Sequence, residues 1–80
     1  MPVVFRRAGF RFFFYSDEGT PRESPHIYIR RGDREAKLWL RSGLPQAYNY
    51  GFSRSEMRDL RQVIEANRER IETAWNEFFG

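Results

Sequence analysis

The sequence predicts an α+β fold: a four-stranded antiparallel β-meander with one long C-terminal α-helix packed on one face. Three observations point to it. Apolar residues recur with period two up to about residue 45 and with a period near 3.6 after it. Breaker residues divide the first part into short β-rich runs. A helix-start signature opens the second part at Ser53.

The runs follow in order. "PVVFRR" (2–7) is the first strand and ends at Ala8-Gly9. "FRFFFYS" (10–16) is the second and carries the densest aromatic content. "DEGTPRESP" (17–25) is polar and breaker-rich, which predicts a loop. "HIYIR" (26–30) and "EAKLWLR" (35–41) are strands three and four. The Arg-Gly-Asp stretch between them reads as a hairpin turn, because glycine supplies the positive φ that such turns need. Residues 45–52 are assigned as a connector whose Tyr48, Tyr50 and Phe52 pack down onto the domain.

The helix is expected over 53–79. Ser53 and Glu56 fit a capping box, and Phe52 with Met57 fit a hydrophobic staple. Met57, Leu60, Ile64, Ile71, Trp75 and Phe78 form the apolar stripe, which Asn67 interrupts. The chain is thus expected to be a single domain over 1–80: sheet to 44, connector, helix.

Alternation divides the sheet into two faces. One helix covers one face, so the other meets water or a partner. Lone charges avoid cores, so the arginines mark the outward set. Phe10, Phe12, Phe14, Ile27, Ile29, Ala36, Leu38 and Leu40 point inward, with Val3 and Phe5 beside them. Outward stand Val4, Arg6, Arg11, Phe13, Tyr15, His26, Tyr28, Arg30, Lys37, Trp39 and Arg41, with Glu35 as the one acid. Gly9 is marked as a place where a β-bulge would reverse this parity.

A surface of rings interleaved with cations suits two tasks. Trp, Tyr and Arg are favoured anchors of protein interfaces. The same types stack on unpaired bases while cations follow phosphates. A third outcome is that the connector folds over this face and buries it. A ribonuclease-like chemistry would place His26 as the proton carrier, Tyr28 as its assistant, and Arg11, Arg30 or Lys37 on phosphate. The bland reading of His26 is a strand residue holding one hydrogen bond. Binding is therefore expected rather than catalysis.

Bulk properties narrow the field. Eighty residues without cysteine carry neither a disulfide nor a thiolate metal site. Eight Phe, four Tyr and two Trp supply the bulk of the small core instead. Residues 1–44 hold nine basic groups against five acids, and residues 45–80 hold five against six. The basic excess lies with the strands, which favours an acidic or polyanionic partner there. The expectation is a cytoplasmic protein with no cofactor, no bound metal and no membrane span.

The blocks "FRFFFYSDEG", "PHIYIRRGDREAKLWL", "NYGFS" and "AWNEFFG", in this order, resemble small prokaryotic proteins grouped as domain of unknown function 4160. The resemblance covers nearly the whole chain. It implies no settled biochemical activity. It does imply a protein partner, since such proteins are often encoded beside another small protein in a toxin–antitoxin-like arrangement. One departure stands out. The family's third strand commonly reads Pro-His-x-His, whereas this chain has Pro25-His26-Ile27-Tyr28. Tyrosine at the second position argues against a two-histidine metal site, and zinc would need three or four ligands in any case.

Overall fold

The computed structural model describes residues 3–15 and 23–80. The element order is β1 (Val3–Arg7), β2 (Phe10–Phe13), β3 (His26–Arg31), β4 (Arg34–Trp39), β5 (Gln46–Tyr50), α1 (Arg54–Ala66) and α2 (Arg68–Phe79). The fold is α+β, with an antiparallel sheet in the order β1-β2-β3-β4-β5. Residue 2 of the first expected strand and residues 16–22, which include most of the expected 17–25 loop, lie outside the described residues.

Two expectations about the element count are corrected. The sheet has five strands, because residues 46–50 of the connector pair with β4. The connector therefore extends the sheet at its edge rather than folding over it. The C-terminal stretch forms two helices, because Asn67 interrupts it at φ −115° and ψ 17°. The Asn67 amide donates to the Val63 carbonyl four residues back, at 2.8 Å. That side chain competes with the backbone for the helical acceptor, a recognised cause of helix bends. The break also alters the stripe. Phe78 is 44% exposed, and Phe79 instead packs on the core, with its ring centroid 4.2 Å from Trp75.

The hairpins follow from their turns. Arg31 pairs with Arg34 across Gly32-Asp33, and only the glycine of this turn has positive φ. A two-residue hairpin with glycine first matches a type II′ turn. Ala8 and Gly9 both have positive φ, at 52° and 84°, and close the β1–β2 turn in the I′ manner. The bulge lies not at Gly9 but between Val3 and Phe5. It shifts the parity by one residue, so Val4 packs against the core instead of pointing outward.

The core lies between the sheet and the helices. Phe5, Phe12, Phe14, Ile27, Ile29, Ala36 and Leu38 meet Met57, Leu60, Ile64, Ile71 and Trp75 there. Phe5 and Phe12 stack with centroids 4.4 Å apart. Phe12 is fully enclosed, and burying such a ring stabilises the fold by about 1.5–3 kcal/mol.

The sheet-to-helix junction is held from both sides. Ser53 Oγ accepts from the Glu56 amide, and Glu56 Oε1 accepts from the Ser53 amide, so the capping box forms. Arg34 reaches from β4 to the Glu56 carboxylate at 3.0 Å and lies over the Phe52 ring. Gly51 sits at φ +104°, and a Cβ there would lie 2.6 Å from Arg34 Cγ. Only glycine allows the chain to turn so closely under that arginine.

Candidate interaction face

The pairing register lays the outward residues out in rungs across the sheet. One rung reads Arg6, Arg11, Arg30, Glu35 and Tyr50. The next reads Phe13, Tyr28, Lys37 and Tyr48. The third pairs His26 with Trp39. Strand alternation brings the first two rungs and Trp39 to the side opposite the helices, while the His26 ring at the end of the sheet also reaches Trp75 of α2.

The rings form a continuous layer. Phe13 stacks on Tyr28 at 5.6 Å, and Tyr15 meets both of them edge-on. Tyr28 reaches Tyr48 at 6.4 Å, and Tyr48 stacks on Tyr50 at 5.0 Å. Edge-to-face and offset pairs of this kind add about 0.5–1.5 kcal/mol each beyond their burial. Phe13, Tyr28 and His26 are buried, while Tyr15, Trp39 and Tyr48 are half-buried. The layer is therefore a second, smaller packed region. It emerges at its β5 end, where Tyr50 is 67% exposed.

Charged groups complete the layer. Lys37, only 9% exposed, places its Nζ 4.6 Å from the Trp39 ring centre and 5.6 Å from that of Tyr28. Glu23 pairs with it at 2.9 Å. Arg41 is exposed and also lies over the Trp39 ring at 5.0 Å. Arg11 is half-buried and faces arginine on both sides, Arg6 and Arg30. Like charges placed directly opposite each other are unfavourable. Of that row, Arg30 is relieved by Glu35 at 3.1 Å.

Glu35 is the polar centre of the face. Its Oε1 accepts from Tyr15 Oη (2.8 Å) and Arg30 Nη1 (3.1 Å), and its Oε2 accepts from Tyr48 Oη (2.5 Å). Burial by itself pushes its pKa up, but the donated hydrogen bonds and the guanidinium outweigh that and hold the carboxyl below its ordinary value. Both tyrosines are shifted upward, first by burial and then by their bonds to the carboxylate. Both remain protonated donors to the carboxylate. The cluster links the residues just after β2 to β3, β4 and β5.

His26 lies where the two packed layers meet. Its Nδ1 is 2.8 Å from the Ser24 carbonyl oxygen, and a carbonyl only accepts, so Nδ1 carries the proton. Its ring touches Tyr28 and Trp39 of the outer layer and Trp75 of α2 at 4.9 Å. The imidazole is thus enclosed between the two layers. Among the described residues no group of three or more His, Cys, Asp or Glu side chains is arranged to hold a metal. No helix among them is long and apolar enough to cross a membrane.

The structure brings Phe13, Tyr15, His26, Tyr28, Arg30, Lys37, Trp39 and Arg41 into one connected layer, and leaves Arg11 beside it in the arginine row. Sequence reasoning missed Tyr48 and Tyr50 as members of the face and Glu35 as its hub. The period-two spacing of "YNY" was the available signal for the tyrosines. The hub had no local signal, because its three donors come from positions 15, 30 and 48.

No match to this chain was found among curated proteins or among solved structures. A family model does match: that of Domain of unknown function (DUF4160), over residues 9–76. The matched span runs from the β1–β2 turn into α2 and takes in the whole aromatic layer. The chain therefore belongs to the DUF4160 family.

Proposed function

We propose that this chain is a protein-binding module, one component of a two-gene system of the toxin–antitoxin kind, and that it engages its partner where the aromatic layer reaches the surface. The observation that carries this reading is the β5 end of the layer. There an exposed Tyr50 stacks on a half-buried Tyr48. Trp39, held by Lys37 and Arg41, is half-buried on the same face. Rings fixed by neighbours and open on one side are the residues that dominate interface energies. The two-gene element rests on the arrangement that the family resemblance implies.

The test is co-expression of the tagged chain with the product of the adjacent gene, with the mass of the purified complex measured. A defined complex is expected. Tyr50→Ala and Trp39→Ala should each weaken it about 30-fold, the equivalent of a ~2 kcal/mol hot spot. A chain that stays alone, as neither complex nor self-associated oligomer, would end this reading.

The arginine row supports a second reading, RNA binding. Arg6, Arg11 and Arg30 stand side by side with one acid at the end of the row, and phosphates would relieve their repulsion. A ribonuclease-like role for His26 and Tyr28 belongs to this reading and would require the buried imidazole to become accessible. Titration with single-stranded RNA at two salt concentrations tests it. Binding that weakens steeply with salt supports phosphate recognition, and binding indifferent to salt opposes it.

A further inference from the structure

The two edges of the sheet are protected differently. At the β1 edge, Arg6 and Arg7 bring charge, and Arg70 Nη2 donates to the Val4 carbonyl at 3.4 Å. Charge and cover are the ordinary protection of an edge against strand addition. At the other edge, β5 (Gln46–Tyr50) has no charged residue. Among the described residues, no strand pairs with its outer side.

The two flanks of α1 also differ. One flank, carrying Glu56 and Asp59, faces Arg7 and Arg31 across a groove of about 540 Å³ toward β1 and β2. The other carries Arg54, Arg58 and Arg61 and lies against the β4–β5 loop, where Arg61 Nε donates to the Leu44 carbonyl at 3.0 Å. Glu65 follows them on that flank, but Arg68 holds it at 2.7 Å. Among the described residues none of the three arginines forms an ion pair. The chain leaves β5 through the turn at 51–53 and runs directly into α1. The arginine flank and the open edge thus belong to the same side of the molecule.

From this juxtaposition we infer that β5 accepts a sixth strand from a partner protein, and that this strand is acidic on the side facing α1 and apolar on the side facing Tyr48 and Tyr50. The spacing fits. Arg54 and Arg58 are separated by a helical rise of about 6 Å. Alternate residues of a strand are about 6.7 Å apart. An acid-x-acid pattern therefore matches two successive arginines, while the intervening side chains turn to the tyrosines. Backbone pairing provides the affinity and the alternate side chains the selectivity, as in other strand-addition complexes. This inference rests on the protein-binding reading and narrows it to one edge and one partner chemistry.

The probe is the synthetic peptide Thr-Val-Glu-Val-Glu-Val-Glu-Thr, titrated against the full chain by calorimetry. Four comparisons accompany it: the Glu→Gln peptide, a peptide N-methylated at alternate backbone amides, the R54Q/R58Q protein, and an oligouridylate of similar charge. We expect saturable binding that falls at least tenfold with the Gln peptide and with R54Q/R58Q, and that is lost on N-methylation. Both arginines are exposed, and a matched thermal transition checks that the variant folds. No binding of the acidic peptide, binding indifferent to N-methylation, or tighter binding of the oligouridylate overturns the inference. Co-purification with the adjacent gene product separates the two readings. If R54Q/R58Q captures that protein as well as the wild type does, the acidic-strand inference falls and the module reading stands. If the wild type captures nothing and does not self-associate, the module reading falls with it.

Discussion

The two faces of the sheet are both largely dry, yet they are held together by different means. Under the helices, Phe12, Ile27, Ile29 and Leu38 pack with apolar side chains and have no polar tips to satisfy. On the other face, Phe13, Tyr28 and Tyr48 pack around Glu35 and Lys37, each of which has named partners. The first kind of packing depends on filled volume and tolerates exchanges of similar size. The second depends on every member of a network, because removing one orphans the rest. A stretch of 80 residues has little room for a core. Packing on both faces adds buried area, at the cost of fixing charged groups in defined positions.

The difference can be broken or sharpened by substitution. The largest effect is expected on the helix side. Phe12→Ala should cost about 3–5 kcal/mol, enough to abolish the cooperative urea transition of a small domain. Phe12→Leu should retain a sharp transition at lower denaturant. On the outer face, Glu35→Ala should cost about 2–3 kcal/mol, as it removes a charged acceptor and strands two hydroxyls and a guanidinium. Tyr48→Phe changes one atom and should cost about 1.5 kcal/mol, since a hydrogen bond to a charged group is lost. If Glu35→Ala proved as harmless as a surface change, the outer layer would not be a network at all.

The pH dependence follows from the same cluster. The Glu35 carboxyl has a lower pKa in the fold than its ordinary 4.5. Its stabilisation is therefore present above about pH 4.5 and is lost as the pH falls through the folded value. The gap in stability between the wild type and Glu35→Gln should narrow as acid is added. The Tyr48 hydroxyl is raised from 10.0, so its contribution is full below that pH and declines above it. Tyr48→Phe should remove this alkaline component, which a pH series of thermal melts would show. The smallest effect belongs to the exposed end of the layer. Tyr50→Ser should cost about 0.5–1 kcal/mol, the low end for its exposed stack on Tyr48, so lost complex formation in a variant that still folds would report on binding.

Much of the helix-side face was legible in the chain. Period-two spacing assigned Phe12, Phe14, Ile27, Ile29, Ala36 and Leu38 inward, and the core holds all of them. The capping box was legible because its two partners are three residues apart. The fifth strand was harder to see, because "QAYNY" is short and its pairing shifts register between Lys37 and Leu38. Parity at β1 failed at a bulge that no residue in "PVVF" announces. The exchange of Phe78 for Phe79 followed from the break at Asn67, after which the stripe continues from Trp75 by four residues rather than three.

The sequence by itself determined the α+β class, the hairpin at Gly32, the helix start at Ser53 and the separation of apolar from aromatic–basic faces. These features depend on residues within a few positions of one another, where dihedral preference and periodicity act directly. Tertiary structure alone decided that the outer rings close around Glu35, that His26 is wedged between Trp39 and Trp75, and that an open β5 edge lies on the arginine side of α1. Such contacts join positions far apart along the chain. They exist only once register, bulge and helix break have together set which side chains meet.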